Sequence, residues 1–413
     1  SWVVTALFIF MVSSLLVAGR VADRFGRRKI FLLGLLLYGA AGIMAGSIPV
    51  IWVLILARSL QGIAIAMLSP SGLAMSLNEF PPSRRAYALG VWGTIGALTG
   101  LCGSPVAAGM IELFNWQAIF ILTGGFSLLI LIAGLIVLSD EQEGNNQLPI
   151  DWISAIIAVM AVGGLTLFLV QGQEWGFSSP VTLLCLCVAI ISTPLLAKRN
   201  RTQRHPLFPP DIFAQRSFTI GATGSALCQV GFFSIYFGLP LYMREVWSWS
   251  PLKIGFALIP LNVVPLLTAA VAGKIVDRHG PRPMVIFGGI WSGISFLIIG
   301  FFLMEAGYIL FALGLLVSGL GAMAIGNNTT IATLLDIEDD LLASASSASY
   351  TARRLGSALG AVLTASIVGN RLGSDFKDVY IWVWILGAGA YLLGSLITYL
   401  YYPRRNEQEL SKV

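Results

Sequence analysis

Apolar residues gather into long unbroken runs along this chain, each closed by a cluster of charges, prolines or glycines. The runs lack the period-two alternation of polar and apolar positions that the strands of a transmembrane barrel require. Their length, roughly 18 to 25 residues, is what a helix needs to cross about 30 Å of hydrocarbon. Thirteen such segments are predicted: 2–19, 30–47, 50–76, 86–111, 117–138, 151–171, 180–197, 217–243, 252–275, 284–304, 307–334, 345–369 and 379–402. The pattern predicts an all-α polytopic membrane protein.

Composition agrees. Only 11% of the 413 residues are charged and 56% are hydrophobic, with a mean hydropathy of +0.83. Soluble domains carry about 25% charged residues. The net charge of +5 would point to nucleic acid in a soluble chain, but here the basic residues sit in loops held on one side of a bilayer. If the loop at residues 20–29 is cytoplasmic, twenty of the 25 lysines and arginines fall on that side, Arg353 and Arg354 among them. Four fall on the other, and Arg58 lies within a span. This predicts a multi-pass membrane protein with a cytoplasmic C-terminus and no nucleic-acid partner.

The chain opens on Ser1, and no cleavable signal peptide is visible. Cys102, Cys185, Cys187 and Cys228 all fall in apolar segments, where inert buried thiols are expected; no metal-ligand spacing surrounds them. No phosphate-binding loop of the G-x-x-x-x-G-K-[S/T] type occurs, so an ATP-driven pump is not supported. No cofactor, metal or catalytic constellation is expected, and the chain does not read as an enzyme.

One charged cassette occurs twice. "GRVADRFGRRK" begins at Gly19 and "GKIVDRHGPRP" begins at Gly273, 254 residues later. Each reads as a short loop between two helices, its glycines serving tight turns and its basic residues meeting anionic headgroups. Eight spans separate the copies, so both face the same side. Two spans precede the second copy after the basic loop at 198–216, and only one precedes the first. If the halves are repeats, a helix is expected before Ser1, for fourteen in all.

The cassettes resemble the loop signature of the major facilitator superfamily, G-x-x-x-D-R-x-G-R-R/K. The match is dense at Gly19, Asp23, Arg24, Gly26, Arg27 and Arg28, and thinner at Gly273, Asp277, Arg278, Gly280 and Arg282. Arg58, Gln61 and Gly62 are similar to the fourth-helix motif R-x-x-Q-G. An arginine deep in a span costs about 2.5–3.5 kcal/mol on insertion scales, so a watery cavity or a partner is expected around it. "GALTGLCGSPVAAG" sets Gly96, Gly100, Gly103 and Gly109 with Pro105 on a face suited to close helix approach and bending. It resembles the antiporter signature of the fifth helix, with Ser104 and Ala108 in place of glycines.

The opening "SWVVTALFIF", "SPLKIGFALIP" and "TARRLGSALG" are similar to helices of the fourteen-span drug:proton antiporter branch. The resemblance implies a major facilitator fold of two pseudo-symmetric helical bundles. The N-terminal bundle would occupy 1–140 with spans two to six, two linker helices 141–200, and a six-span bundle 201–413. It further implies a monomeric secondary transporter in the lipid bilayer, exporting drugs or amphipathic small molecules in exchange for protons by alternating access. The cassettes would gate and Arg58 with Gln61 would serve the cavity. All twenty acidic residues assign to loops or span ends, and the resemblance places a coupling carboxylate on the first helix.

Within second-half spans, Gln229, Asn262, Asn327 and Asn328 are candidate substrate contacts. Trp92, Phe232, Phe233 and Tyr236 are candidates for an apolar pocket wall. Two rival readings stand beside the exporter. One is a transporter of a defined metabolite, organic anion or siderophore; the other is a truncated membrane protein that does not transport.

Overall fold

The computed structural model describes residues 2–81, 84–138, 151–203, 210–304, 307–326, 328–337, 341–369 and 376–403. Everything with regular structure among them is helical. The first half runs α1 (Trp2–Phe25), α2 (Arg27–Ser47), α3 (Ile51–Asn78), α4 (Arg85–Leu113) and α5 (Trp116–Val137), followed by α6 (Trp152–Trp175) and α7 (Pro180–Thr202). A short α8 (Pro210–Ala214) leads into α9 (Arg216–Glu245), α10 (Pro251–Ala257), α11 (Ile259–His279) and α12 (Pro281–Ile298). A π-helical turn at Ile299–Leu303 extends α12. Then come α13 (Tyr308–Ile325), α14 (Asn328–Leu334), α15 (Leu342–Gly369) and α16 (Phe376–Tyr401).

Among the described residues, eleven helical stretches are long and apolar enough to cross a membrane. The helix α1, bent by 54° between Thr5–Leu15 and Val17–Phe25, makes a twelfth. The thirteenth expected segment, 345–369, is helical as α15 but is not among these twelve. Its serines and the Arg353–Arg354 pair make it less apolar than the others.

Helix ends follow local chemistry. Asn115 caps α5 by accepting from the Ala118 N–H at 3.1 Å, and Asp151 caps α6 by accepting from the Ile153 and Ser154 N–H groups, each at 3.1 Å. Such caps satisfy donors that the first helical turn leaves open. Proline opens α7, α10 and α12, where its missing N–H costs nothing.

Two compact units emerge. The first joins Ser1–Asn78, Leu113–Ala214 and Ile337–Thr351; the second joins Glu79–Glu112, Gln215–Asp336 and Ala352–Val413. Small residues carry the packing inside each, as expected where lipid removes the hydrophobic drive between helices. In the first, a Cβ added at Gly42 of α2 would lie 2.8 Å from the Gly124 Cα of α5. In the second, a Cβ at Gly356 or Gly360 of α15 would press into the Ala226 or Val230 carbonyl of α9. Ser234 of α9 donates to the Gly360 oxygen and its own oxygen accepts from Thr364, both at 3.2 Å.

The linker pair α6 and α7 belongs to the first unit. Arg199 of α7 donates from Nε to Asp151 Oδ2 at 2.9 Å and from Nη2 to Oδ1 at 3.0 Å. The guanidinium beside it holds the Asp151 carboxyl down to about 2. Thr5 of α1 donates to Gln171 of α6 at 3.2 Å, and Trp2 meets Trp175 at 5.8 Å. Only Cys228 is buried within the protein; Cys185 is half-buried, and Cys102 and Cys187 lie on helix surfaces. The expectation of four buried thiols therefore fails, because apolar spans also present residues outward.

Candidate functional site

The two cassettes are not loops. α1 continues through Arg20, Asp23 and Arg24 to Phe25, and α11 continues through Lys274, Asp277 and Arg278 to His279. Each helix is broken at one glycine, Gly26 with φ 97° and Gly280 with φ 77°, and the next helix starts at once. Residues with a Cβ rarely adopt these backbone angles. Helix propensity within the cassette was hidden by its charge. Gly19 and Gly273 are buried helix positions rather than turn residues.

Side chains at the breaks repeat as well. Arg28, two residues past Gly26, donates to the Leu135 oxygen in the last turn of α5 at 3.5 Å. Arg282, two residues past Gly280, donates to the Tyr399 oxygen in the last turn of α16 at 2.6 Å. Open carbonyls at a helix C-terminus carry partial negative charge, so a guanidinium there is favoured. Within the first cassette, Asp23 pairs with Arg27 one turn on at 3.3 Å, their side chains 12% and 17% exposed. Arg24 lies 5.3 Å from the Phe25 ring. Asp277 sits in α11, and its side chain lies outside what the structure describes.

Arg58 lies inside α3, as its sequence position predicts. Its Nη1 donates to Gln61 Oε1 at 3.3 Å, and its Cζ stands 4.6 Å from the centre of the Phe120 ring. Gln61 is buried. The guanidinium thus has an amide and an aromatic face, the latter attractive to a cation, while its Nε reaches no hydrogen-bond acceptor. Gly62 serves packing: a Cβ there would come within 2.5 Å of the Leu7 oxygen of α1.

The glycine face of α4 is used sparingly. A Cβ at Gly100 would lie 2.8 Å from Asn262 Oδ1 of α11, whereas at Gly96, Gly103 or Gly109 it would meet nothing within 4 Å. Among the described residues, Gly100 is the one of these four glycines with such a close approach. α4 passes through Pro105 as one helix, and the side chain of Ser104 lies outside the described set.

Sequence pointed to four polar second-half residues, and their fates differ. Asn262 packs on Gly100. Asn327 lies outside the described residues. Asn328 is buried, and its amide donates to the Ala324 oxygen at 2.9 Å, so it closes the end of α13 instead of facing a ligand. Gln229 lines a cavity of about 200 Å³ within the second unit.

That cavity also holds a residue the sequence reading assigned to a cytoplasmic loop. Arg353 of α15 reaches it together with Ser225, Phe232, Phe233 and Thr329. With the Gln229 amide oxygen turned toward the guanidinium, it accepts from Nη2 at 3.2 Å and from Nε at 3.3 Å. Nη1 donates to the Thr330 hydroxyl. A signal was available: Arg353 stands eight residues inside the predicted span 345–369, as Arg58 stands eight inside 50–76. Phe232 stacks on Tyr236 at 5.5 Å and meets Phe233 edge-on at 5.5 Å. Trp92 is not among the cavity's lining residues. No cluster of three or more metal-ligating side chains occurs among the described residues.

Comparison with known proteins places this geometry. Residues 1–233 and 221–412 both match the Major Facilitator Superfamily. The tetracenomycin C resistance and export protein of Streptomyces glaucescens is 25% identical over 379 residues, covering 91% of this chain and 70% of that protein. The multidrug export protein EmrB of Escherichia coli K12 is 26% identical over 376 residues, covering 90% and 73%. Among solved structures, the proton:xylose symporter XylE superposes with a TM-score of 0.69 at 15% identity, over 100% of this chain and 88% of that one. That likeness speaks to the fold.

Proposed function

Because the chain belongs to the major facilitator superfamily, we propose that it is a proton-coupled exporter of drugs and amphipathic small molecules, of the fourteen-span drug:proton antiporter type. It is a multi-pass membrane transporter and not an enzyme. Alternating access rocks one repeated bundle against the other around a fixed site, and matched helix breaks in the two halves suit such a motion. The observation that carries the reading is the paired construction of the cassettes. In both, one positive-φ glycine breaks a long helix, and the arginine two positions on reaches a carbonyl in the last turn of another helix, α5 in the first copy and α16 in the second.

Export is supported by the names of the relatives, an antibiotic export protein and a multidrug export protein. In this reading the cassettes gate the cytoplasmic side. Arg58 and Gln61 supply polar groups to the transport path, and the Gly100–Asn262 contact is a sliding interface. The protein works as a monomer in a bacterial inner membrane, with its C-terminus in the cytoplasm. Each proton entering down a 100 mV potential supplies about 2.3 kcal/mol, enough to concentrate a compound some fiftyfold. Accumulation of amphipathic dyes by everted membrane vesicles tests the proposal, with Asp23→Asn at matched membrane content as the comparison.

A further inference from the structure

The cavity around Arg353 is unlike the surroundings of Arg58. Arg58 is covered by Phe120 and Gln61, whereas Arg353 opens onto about 200 Å³ of space. Placing a guanidinium in an apolar bundle is expensive, and packing it against a void forgoes contacts that could offset the expense. The guanidinium is also held in place. Thr330 fixes one end from α14, and Gln229 fixes Nη2 and Nε from α9.

Hydroxyl groups continue the polar side. Ser225, 1% exposed, donates to Thr329 at 3.2 Å, and both line the space. Phe232 and Phe233, one turn along α9 from Gln229, add aromatic surface to the cavity, and Tyr236 stacks on Phe232. A charged, planar donor and aromatic faces lining one cavity match a molecule with a carboxylate head and a flat apolar body. Cys228 and Tyr391 also line it, and no acidic residue is among its described lining residues.

We propose that this cavity binds the carboxylate end of an amphipathic organic anion, with Arg353 meeting the carboxylate and Phe232 and Phe233 flanking its apolar body. The proposal rests on the exporter reading and sharpens it by naming a substrate class. Gln229 is a positioning residue, since it acts by holding the guanidinium.

The test uses the purified full chain and three probes of nearly one shape: 2-naphthoate, 2-naphthylmethanol and 2-naphthylmethylammonium. Titration calorimetry is expected to show that naphthoate binds at least tenfold more tightly than the other two. Arg353→Gln should remove that preference and Arg353→Lys should keep part of it. Gln229→Glu guards against a folding defect, because it places an internal carboxylate beside the guanidinium while leaving arginine and shape in place. It should abolish naphthoate binding with the thermal midpoint unchanged or raised. Equal affinity for the three probes, or naphthoate binding that survives both Arg353→Gln and Gln229→Glu, overturns the proposal. If cationic dyes are still exported in that case, the exporter reading stands without it. Naphthoate binding without export of any compound would instead remove the exporter reading and leave the site.

Discussion

Arg282 donates to the Tyr399 main-chain oxygen at 2.6 Å, tying the start of α12 to the end of α16. Its counterpart 254 positions earlier, Arg28, reaches the Leu135 oxygen at 3.5 Å and ties α2 to α5 in the same way. A motif that looks like a basic patch therefore contains one residue per copy with a fixed structural partner. Arg282→Ala is expected to lower stability by about 1 kcal/mol, the scale of a charged group at a helix C-terminus. Arg28→Ala should cost less, because its bond is longer. Thermal unfolding of the two variants in one detergent checks the order.

Gly26 and Gly280 carry the two helix breaks at positive φ. Alanine at either is expected to destabilise by about 1–3 kcal/mol. A loss is expected at both sites, since both glycines hold a backbone of positive φ. Denaturation of the single variants, with Gly96→Ala as a helical control, measures this.

Glycines inside spans separate into contacts and open positions. Gly62→Ala is expected to cost about 1–3 kcal/mol through overpacking against the Leu7 oxygen. Gly103→Ala and Gly109→Ala meet nothing within 4 Å and should leave the thermal midpoint within error. A loss at the open positions equal to that at Gly62 would contradict the packing described.

The Asp151–Arg199 pair sets a pH dependence. The Asp151 carboxyl is held at about 2 in the folded chain, below the ordinary value near 3.9. Its contribution is therefore complete above about pH 4 and is lost as the pH falls through about 2. The stability gap between wild type and Asp151→Asn should stay constant from pH 7 to about pH 4.5 and narrow below pH 4. Thermal scans across that series provide the check.

Much of this was legible in the sequence. Long apolar runs locate spans because lipid leaves few other homes for them, and the paired cassettes were visible because charge is scarce here. Other features were hidden. Segment 252–275 is broken near Leu258 into α10 and α11, and 307–334 is broken after Ile325 into α13 and α14. Both breaks lie in runs apolar enough to read as continuous. Polarity marked Asn328 and Gln229 alike, but only packing shows that one turns to backbone and the other to a cavity. Arg353 escaped because counting charges by side assigns an arginine to a loop whenever one is near.

Everted vesicles containing the chain, energised to an acid interior, test the central claim most directly. The account predicts that they accumulate an amphipathic dye, that addition of the dye drains the pH gradient, and that discharging the gradient releases the dye. It predicts that Asp23→Asn, present at equal membrane content, accumulates at least tenfold less. Accumulation that is indifferent to the gradient, or equal in wild type and Asp23→Asn, would contradict it.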